Sequence, residues 1–388
     1  MMQRVKISDF AEVITGGTPS TSVNEYWDGG TIPWLQSGAC QNCIINECDT
    51  FITEDGLKNS ATKMMQPESV LIALTGATTG KVGYLTFEAC ANQSVTGIQP
   101  NDKFVPKYLY YYLMGIRQKI LDDSYGGAQK HISQGYVKNL EVPLGTIEEQ
   151  RIIVDAIEKV DAVISARKNE LQLFDNLIKA RFVEMFGDPE YNNKGWQVKK
   201  LNDLCNVGSS KRIYQEEQTT DGVPFWRISD LVTKMDTGDV ESSLYIPESR
   251  YEELKAQGLV PETGDILVTS RGTLGRCYII TPDDRFYFQD GMISWLSNYS
   301  DEITPLYIQH LFDMAGLKKQ IDGLQAGSTV AYLSIAMLKK LNIMIPNREL
   351  QEQFAAFVAQ VDKSKLVVQK ALDQAQLLFD SLMQKYFG

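Results

Sequence analysis

One stretch of this chain occurs twice. The segment from Glu148 to Gly187, EEQRIIVDAIEKVDAVISARKNELQLFDNLIKARFVEMFG, returns near the C-terminus as LQEQFAAFVAQVDKSKLVVQKALDQAQLLFDSLMQKYFG. In the first copy apolar residues fall at Ile153, Ile157, Val160, Ile164, Leu171, Phe174, Ile178 and Met185, stepping by four and three around Arg167 and Arg181. That spacing is a heptad seam. In the second copy the seam runs through Phe354, Val358, Val361, Val368, Leu372, Ala375, Phe379, Leu382 and Tyr386, and only Lys365 breaks it. From Ile157 and Val358 onward the two copies keep a constant offset of 201 positions. Two unrelated amphipathic helices would not share both this phase and the closing Phe-Gly. Each helix runs about 37 residues, on the order of 55 Å, and its apolar stripe needs a partner.

The flanking sequence repeats as well. Ile7-x-Asp9-x-x-x-Val13 matches Leu201-x-Asp203-x-x-x-Val207, each followed by a Gly/Ser/Thr-rich loop. The first of these segments, Val5 to Gly17, reads as a short helix with Ser8 at its N-cap, leading into a strand and a glycine turn. Proline-containing strands follow at Ile32-Pro33-Trp34-Leu35 and Val223-Pro224-Phe225-Trp226. Val70 to Lys81 then matches Ile266 to Arg276: a strand, a glycine-framed loop, a basic residue and a further strand. The loop GATTGK has three residues between its glycines and Val82 after its lysine, so it lacks the phosphate-cradling P-loop pattern. It fits a hairpin tip offering Lys81, and its counterpart offers Arg271 and Arg276. Pro106 and Pro305 each open an amphipathic helix, PKYLYYYLMGIRQKILDD and PLYIQHLFDMAGLKKQIDG. The tyrosines at 108, 110, 111 and 112 suit packing more than base stacking. A glycine-polar loop and a strand then lead into each long helix, and Asn192-Asn193-Lys194-Gly195-Trp196 links the two repeats.

The chain has 388 residues, 43% of them hydrophobic and 22% charged, an ordinary globular composition with material for two or three cores. It shows neither a basic-then-apolar leader nor a run of about 18 apolar residues, so a cytoplasmic protein that does not enter membranes is expected. Its six cysteines are then expected to be reduced. Cys40-x-x-Cys43 with Cys48 nearby lacks the second pair or the histidines that a zinc site needs, and no metal is expected. The net charge of -11 excludes a uniformly basic nucleic-acid binder. The residues before Ile147 hold about 11 basic and 14 acidic side chains, and those from Asp188 to Ile345 about 16 and 22. Any DNA affinity must come from local patches or from a second subunit.

The order is therefore globule, long helix, globule, long helix. The expected fold class is α/β (α+β): two pseudo-twofold-related mixed α/β domains at 1–147 and 188–345, separated by long helices at 148–187 and 346–388 that form an antiparallel coiled coil. Ile157, Val160, Ile164, Leu171, Phe174 and Ile178 are expected to pair with Val358, Val361, Leu372, Phe379 and Leu382. This arrangement resembles the DNA-specificity (S) subunit of type I restriction-modification systems. The resemblance is carried by the strand-loop segments at Ile32-Pro33-Trp34 and Val223-Pro224-Phe225-Trp226, by Gly327-Ser328-Thr329, and by Pro143 to Gln150 with its helix. The central Met185-Phe186-Gly187-Asp188-Pro189, with Asn193-Lys194-Gly195-Trp196 behind it, is the most specific piece. In the first half Gly126-Gly127-Ala128-Gln129-Lys130-His131 departs from the Gly-Ser-Thr form.

The resemblance implies two target-recognition domains, each reading half of a bipartite DNA site. It also implies that the long helices set the half-site spacing and dock two methyltransferase (M) subunits, with restriction/motor (R) subunits joining in the full complex. S-adenosylmethionine and adenine-N6 methylation would belong to those partners, and this chain would bind no cofactor. The sequence agrees in what it lacks: an Asn/Asp-Pro-Pro-Tyr/Phe tetrad, a GxGxxG cofactor turn, a Walker motif, and more histidine than His131 and His310. A non-catalytic subunit is expected. Candidate DNA contacts in the first half are Thr18, Gln36, Ser37, Lys81, Gln129, Lys130 and His131, and in the second Lys211, Arg212, Arg227, Arg271, Thr273, Arg276, Ser328 and Thr329. These residue types reach phosphates or base edges from loops and strand ends. The rival reading is a tandem-repeat scaffold that bridges proteins without touching DNA, and the acidic balance favours it.

Overall fold

The repeat in the sequence is a repeat in the structure. A computed structural model describes residues 3–127, 129–325 and 331–388, and the chain forms two compact units, 1–169 with 369–388, and 170–368. Both unit boundaries fall inside a long helix. The helices themselves span Ile147–Phe186 and Arg348–Phe387.

In the first unit five strands, β1 (Val13–Thr15), β2 (Cys43–Ile45), β3 (Val70–Ala73), β4 (Val82–Leu85) and β5 (Val95–Ile98), form a sheet in the order β1-β5-β3-β4-β2. In the second unit β6 (Asn206–Gly208), β7 (Ile266–Thr269), β8 (Cys277–Ile279) and β9 (Ile293–Ser297) follow the order β6-β9-β7-β8. The cores of the sheets share their pairing: β3 is antiparallel to β4 and β5, as β7 is to β8 and β9. Among the described residues the second unit has no counterpart of the parallel β2. At that point of the chain it carries a helix, Ile228–Thr237. The proline-containing strands also repeat: Ile32–Leu35 pairs antiparallel with Phe51–Ile52 and parallel with Cys90–Ala91, and Val223–Trp226 does the same with Tyr245–Ile246 and Tyr287–Phe288. Finally Gln3–Lys6 pairs with Glu141–Leu144, and Gln197–Lys200 with Asn342–Ile345, closing each globule where its chain enters a long helix.

Helix α1 (Pro106–Gly115) and α2 (Ile147–Phe186) belong to the first repeat, and α3 (Pro305–Asp313) and α4 (Arg348–Phe387) to the second. Thr146 and Glu149 cap α2 reciprocally: the Thr146 N–H donates to the Glu149 carboxylate at 2.7 Å, and the Glu149 N–H donates to Thr146 Oγ1 at 3.2 Å. One turn in, buried Gln150 accepts from the Val105 N–H at 2.8 Å. Its counterpart Gln351 accepts from the Thr304 N–H at 2.8 Å. Each glutamine ties the start of a long helix to the start of its proline-led helix. Gly187, at φ +82°, ends α2 with its N–H on the Val183 carbonyl at 2.8 Å, a left-handed position suited to glycine.

The long helices pack antiparallel within each unit. In the second unit Phe182 meets Phe354 (ring centroids 5.5 Å) while Asp175 meets Lys365 (2.7 Å), so α4 runs backwards as α2 advances. In the first unit Ile153, Val154 and Ile157 share a core with Met383 and Phe387. Ile157, Ile164, Ile178, Val358 and Val361 are buried, and Val160, Leu171, Phe174, Leu372, Phe379 and Leu382 are half-buried.

Three local expectations need correction. The first helix is the short Ile7–Phe10, with Lys6 rather than Ser8 at its N-cap, because Gln3–Lys6 is drawn into the closing strand pair. Each proline-led helix is interrupted: Arg117–Asp122 follows α1 as a separate helix, and Ala315–Leu324 follows α3 after Met314 turns to an extended conformation (φ -76°, ψ 144°). In the last turns of the long helices Phe182 and Phe186 join the buried heptad residue Met185, and Met383 and Phe387 are buried, one position beyond the strict heptad through Arg181 and Leu382. A straight helix drifts by about 20° per heptad, and the large α1 and α3 tyrosines reward that drift.

Candidate nucleic-acid interface

Each unit presents a rim of loops built on the same hairpin. Between β3 and β4 the chain makes a 3-10 turn, Gly76–Thr78, and Gly80 closes it at φ +73°. Gly275 closes the β7–β8 turn at φ +75°. A Cβ at either glycine would sit 3.0 Å from an isoleucine side chain, Ile120 or Ile321, so crowding adds to the preference of the left-handed backbone for glycine there.

In the first unit backbone hydrogen bonds tie this tip to two other loops. The Ile132 N–H donates to the Leu74 carbonyl (2.9 Å), while the Gly76 N–H and the Thr79 hydroxyl both donate to the Lys130 carbonyl (3.1 and 2.8 Å). On the other flank the Leu74 N–H donates to the Ser94 carbonyl (2.8 Å), placing Gln93, which accepts from the Thr18 hydroxyl. The Asn92 N–H donates to the Leu35 carbonyl (2.9 Å), so exposed Gln36 and the adjoining Ser37 follow directly. Lys81 reaches across to Gln41 Oε1 at 2.6 Å. Thr18, Gln36, Ser37, Lys81, Gln129, Lys130 and His131 thus stand on loops joined to one another. His131 is half-buried; its backbone pairs both ways with Tyr125 (3.1 and 2.8 Å) and its ring meets the Tyr125 ring edge-on at 4.9 Å.

The second unit repeats the stitching. The Leu333 N–H donates to the Ser270 carbonyl (3.0 Å), and the Ser270 N–H donates to the Met292 carbonyl (2.9 Å). Arg271, exposed beside that junction, lays its guanidinium over the Tyr332 ring at 5.5 Å. Arg212 pairs with Asp290 at 2.9 Å, and the Lys211 N–H donates to the Tyr287 hydroxyl at 2.8 Å. Burial pushes that hydroxyl up to about 12, so it stays protonated and holds the loop as a neutral group. The Thr273 carbonyl accepts from the Thr269 hydroxyl inside the turn. Two arginines leave this group. Arg276 turns to Asp236 at 2.6 Å, and Arg227, at the N-cap of Ile228–Thr237, meets Asp230 at 3.4 Å and Ser243 at 2.9 Å. Arg271 and Arg276 thus flank the turn with different neighbours, the Tyr332 ring and the Asp236 carboxylate. Ser328 and Thr329 lie outside the described residues.

The acidic balance of the chain is visible here, since Arg212, Arg227 and Arg276 each meet a carboxylate. The Arg212 and Arg276 pairs, partly exposed, hold about 0 to 1 kcal/mol, little enough for a phosphate to displace the carboxylate, whereas Asp230 is buried beside Arg227. Gln41, Gln93, Asp290 and Tyr332 were not among the sequence candidates. Only Gln93 had a readable signal, the polar Asn92-Gln93-Ser94 between two apolar strands. The cysteines of the first unit serve its packing: Cys48 donates to the Thr50 carbonyl at 3.0 Å, and burial pushes the Cys40 thiol up to about 12. Among the described residues no group of three or more His, Cys, Asp or Glu is placed to hold a metal, and no helix is long and apolar enough to cross a membrane.

Comparison with known proteins converges on one family. The type I restriction modification DNA specificity domain matches residues 1–173 and again 193–375. The MjaIX type I restriction enzyme specificity subunit of Methanocaldococcus jannaschii is 26% identical over 405 residues, covering 98% of this chain and 91% of that protein. The fold is similar to the S subunit of a type I restriction-modification system from M. genitalium, at TM-score 0.56 and 17% identity over 100% of this chain and 96% of the other. A chain from a study of complex assembly and conformational transition of the type I R-M system gives 0.57 and 16%, covering 99% and 97%.

Proposed function

This chain belongs to the type I restriction-modification DNA specificity family, as a specificity subunit with two target-recognition domains, and we propose that each domain reads one half of a bipartite DNA site through its hairpin-tip rim. The duplication of that rim carries the reading: two loop assemblies with the same backbone stitching, one offering Thr18, Gln36, Lys81 and Lys130, the other Lys211, Arg212 and Arg271. Divergent side chains on equivalent frames are what a protein needs in order to read two different half-sites. Lysine and arginine position the duplex through phosphates, while Gln36 and Gln129 have a donor and an acceptor each, and Arg271 has paired donors, to read base edges.

The exposed faces of α2 and α4 dock two adenine-N6 methyltransferase subunits, and restriction subunits join through them. S-adenosylmethionine resides in those partners, and this chain contributes recognition rather than chemistry. The length of the helices sets the distance between the half-sites.

Adenine methylomes of the host with and without this gene test the reading. An adenine-methylation motif in two parts with a fixed spacer should vanish on deletion. An expressed system whose deletion removes no such motif overturns it and leaves the scaffold reading. Deleting one heptad from both long helices should shift or abolish the preferred spacer, whereas an unchanged spacer would reduce the helices to a tether.

A further inference from the structure

Among the positions where the two copies of the long helix differ along their seam, one places an ion pair across it. In the second unit Asp175 of α2 faces Lys365 of α4 across the seam at 2.7 Å. Shifted by the repeat offset of 201 positions, Asp175 corresponds to Gln376 and Lys365 corresponds to Ile164. Ile164 and Gln376 line a single crevice of the first unit, the counterpart of the one lined by Asp175 and Lys365. Equivalent positions in the two halves thus carry an ion pair in one and isoleucine with glutamine in the other.

We propose that the Asp175 and Lys365 pair is a selector of helix partners: it favours α2 against α4 and disfavours α2 against α2, or α4 against α4, from a second copy of this chain. The copies resemble each other enough for the question to arise. Ile157 and Val358, Leu171 and Leu372, and Ile178 and Phe379 are equivalent apolar seam positions, and an apolar seam does not distinguish like from unlike. The pair does. In an antiparallel α2-with-α2 assembly each Asp175 would stand opposite Ile164 of the other copy, a carboxylate on the seam facing a buried aliphatic side chain. That arrangement occurs twice, by symmetry. In an α4-with-α4 assembly each Lys365 would stand opposite Gln376, with Asp362 of its own helix beside it and no carboxylate facing it across the seam at that position. Only the unlike pairing joins both charges across the seam, and because the two side chains are partly exposed the discrimination comes from a cross-helix ion pair present in the right assembly and missing from both wrong ones. An exchanged dimer that keeps α2 against α4 retains the pair and is not opposed by it.

The test uses the full chain, co-expressed with two different affinity tags, captured through one tag and quantified through the other. Two variants make the seam symmetric by opposite chemistry. Asp175→Gln with Lys365→Ile gives the second unit the residues of the first, and Ile164→Lys with Gln376→Asp gives the first unit the pair of the second. A third, Asp175→Lys with Lys365→Asp, reverses the pair and keeps the asymmetry. Both symmetric variants should raise mixed-tag capture severalfold over the natural chain, while the reversed variant stays at its level. The melting temperature of the Gln/Ile variant should hold or rise, which separates loss of selectivity from loss of folding. Capture at the natural level in both symmetric variants, or raised as much in the reversed one, overturns the proposal.

Discussion

The crevices beside the long helices are built from equivalent positions and differ in kind. In the first unit Tyr110, Tyr111 and Met114 of α1 face Ile164 and Phe379, whereas in the second Gln309, His310 and Asp313 of α3 face Lys365 and Ile178. The first sets tyrosines and aliphatic side chains beside Lys107, Asp161 and Lys168, and at the equivalent positions of the second the tyrosines and Met114 give way to glutamine, histidine and aspartate. Deeper in, the difference reverses in degree: Tyr307 in the second unit packs against Phe182, Phe186 and Phe354 (ring centroids 5.4 Å for Phe182, 4.9 Å for Phe186), while Tyr108 in the first meets Phe387 with Met383 and Ile153 in place of the other two rings. The second unit therefore concentrates its apolar stabilisation in one ring cluster and leaves the neighbouring crevice polar. The first spreads it along the helix. One backbone plan can place its cohesion differently because antiparallel helix packing constrains where side chains meet and leaves their chemistry open.

The largest expected effect tests that concentration. Phe354→Ala should destabilise the second unit by about 3 to 5 kcal/mol, and the equivalent Ile153→Ala the first by about 2 to 5 kcal/mol, at the lower end. Amide exchange resolves the two units separately, and equal losses would break the contrast.

The crevice of the second unit should also respond to pH. Burial, with the neighbouring Lys365 adding to it, pushes the His310 imidazole from 6.5 down to about 4, and its Nε2 is buried without a partner. Between those values the unfolded chain binds the proton and the folded chain does not. The stability that neutral His310 allows is complete above pH 6.5 and is lost as the pH falls toward 4, on the order of 3 kcal/mol at full extent. Asp313 and Asp362 line the same crevice, so the informative quantity is the difference between the natural chain and His310→Tyr, which installs the residue of the first unit. A pH profile unchanged by that substitution would remove His310 as the cause.

On the recognition rims, Arg271→Ala should weaken cognate duplex binding by the assembled methyltransferase by about 1 to 3 kcal/mol and relax specificity in one half-site. Unchanged affinity removes Arg271 as a contact. Lys81→Ala should do less, weakening all sequences alike and lowering the salt slope by about 1. A sequence-dependent loss at Lys81 would instead give the two rims the same kind of reader.

The sequence by itself determined the repeat, the two long helices and most of the seam, because heptad spacing and helical phase are properties of neighbouring residues. It also located the hairpin tips, since a left-handed, crowded turn favours glycine at Gly80 and Gly275. Its candidates within the described part of the rims lie on stitched loops for the same reason: polar residues between buried strands have to sit at strand ends. Tertiary structure decided the rest. It paired Lys365 with Asp175, turned Arg276 and Arg227 toward carboxylates, and set Tyr332 under Arg271. It moved the last buried turn of each helix to Phe182 and Met383, where the tyrosine-bearing helices wait. Local spacing fixes which face a residue occupies, whereas its partner across a seam or a rim is set by another part of the chain, and one sequence carries no direct record of that distance.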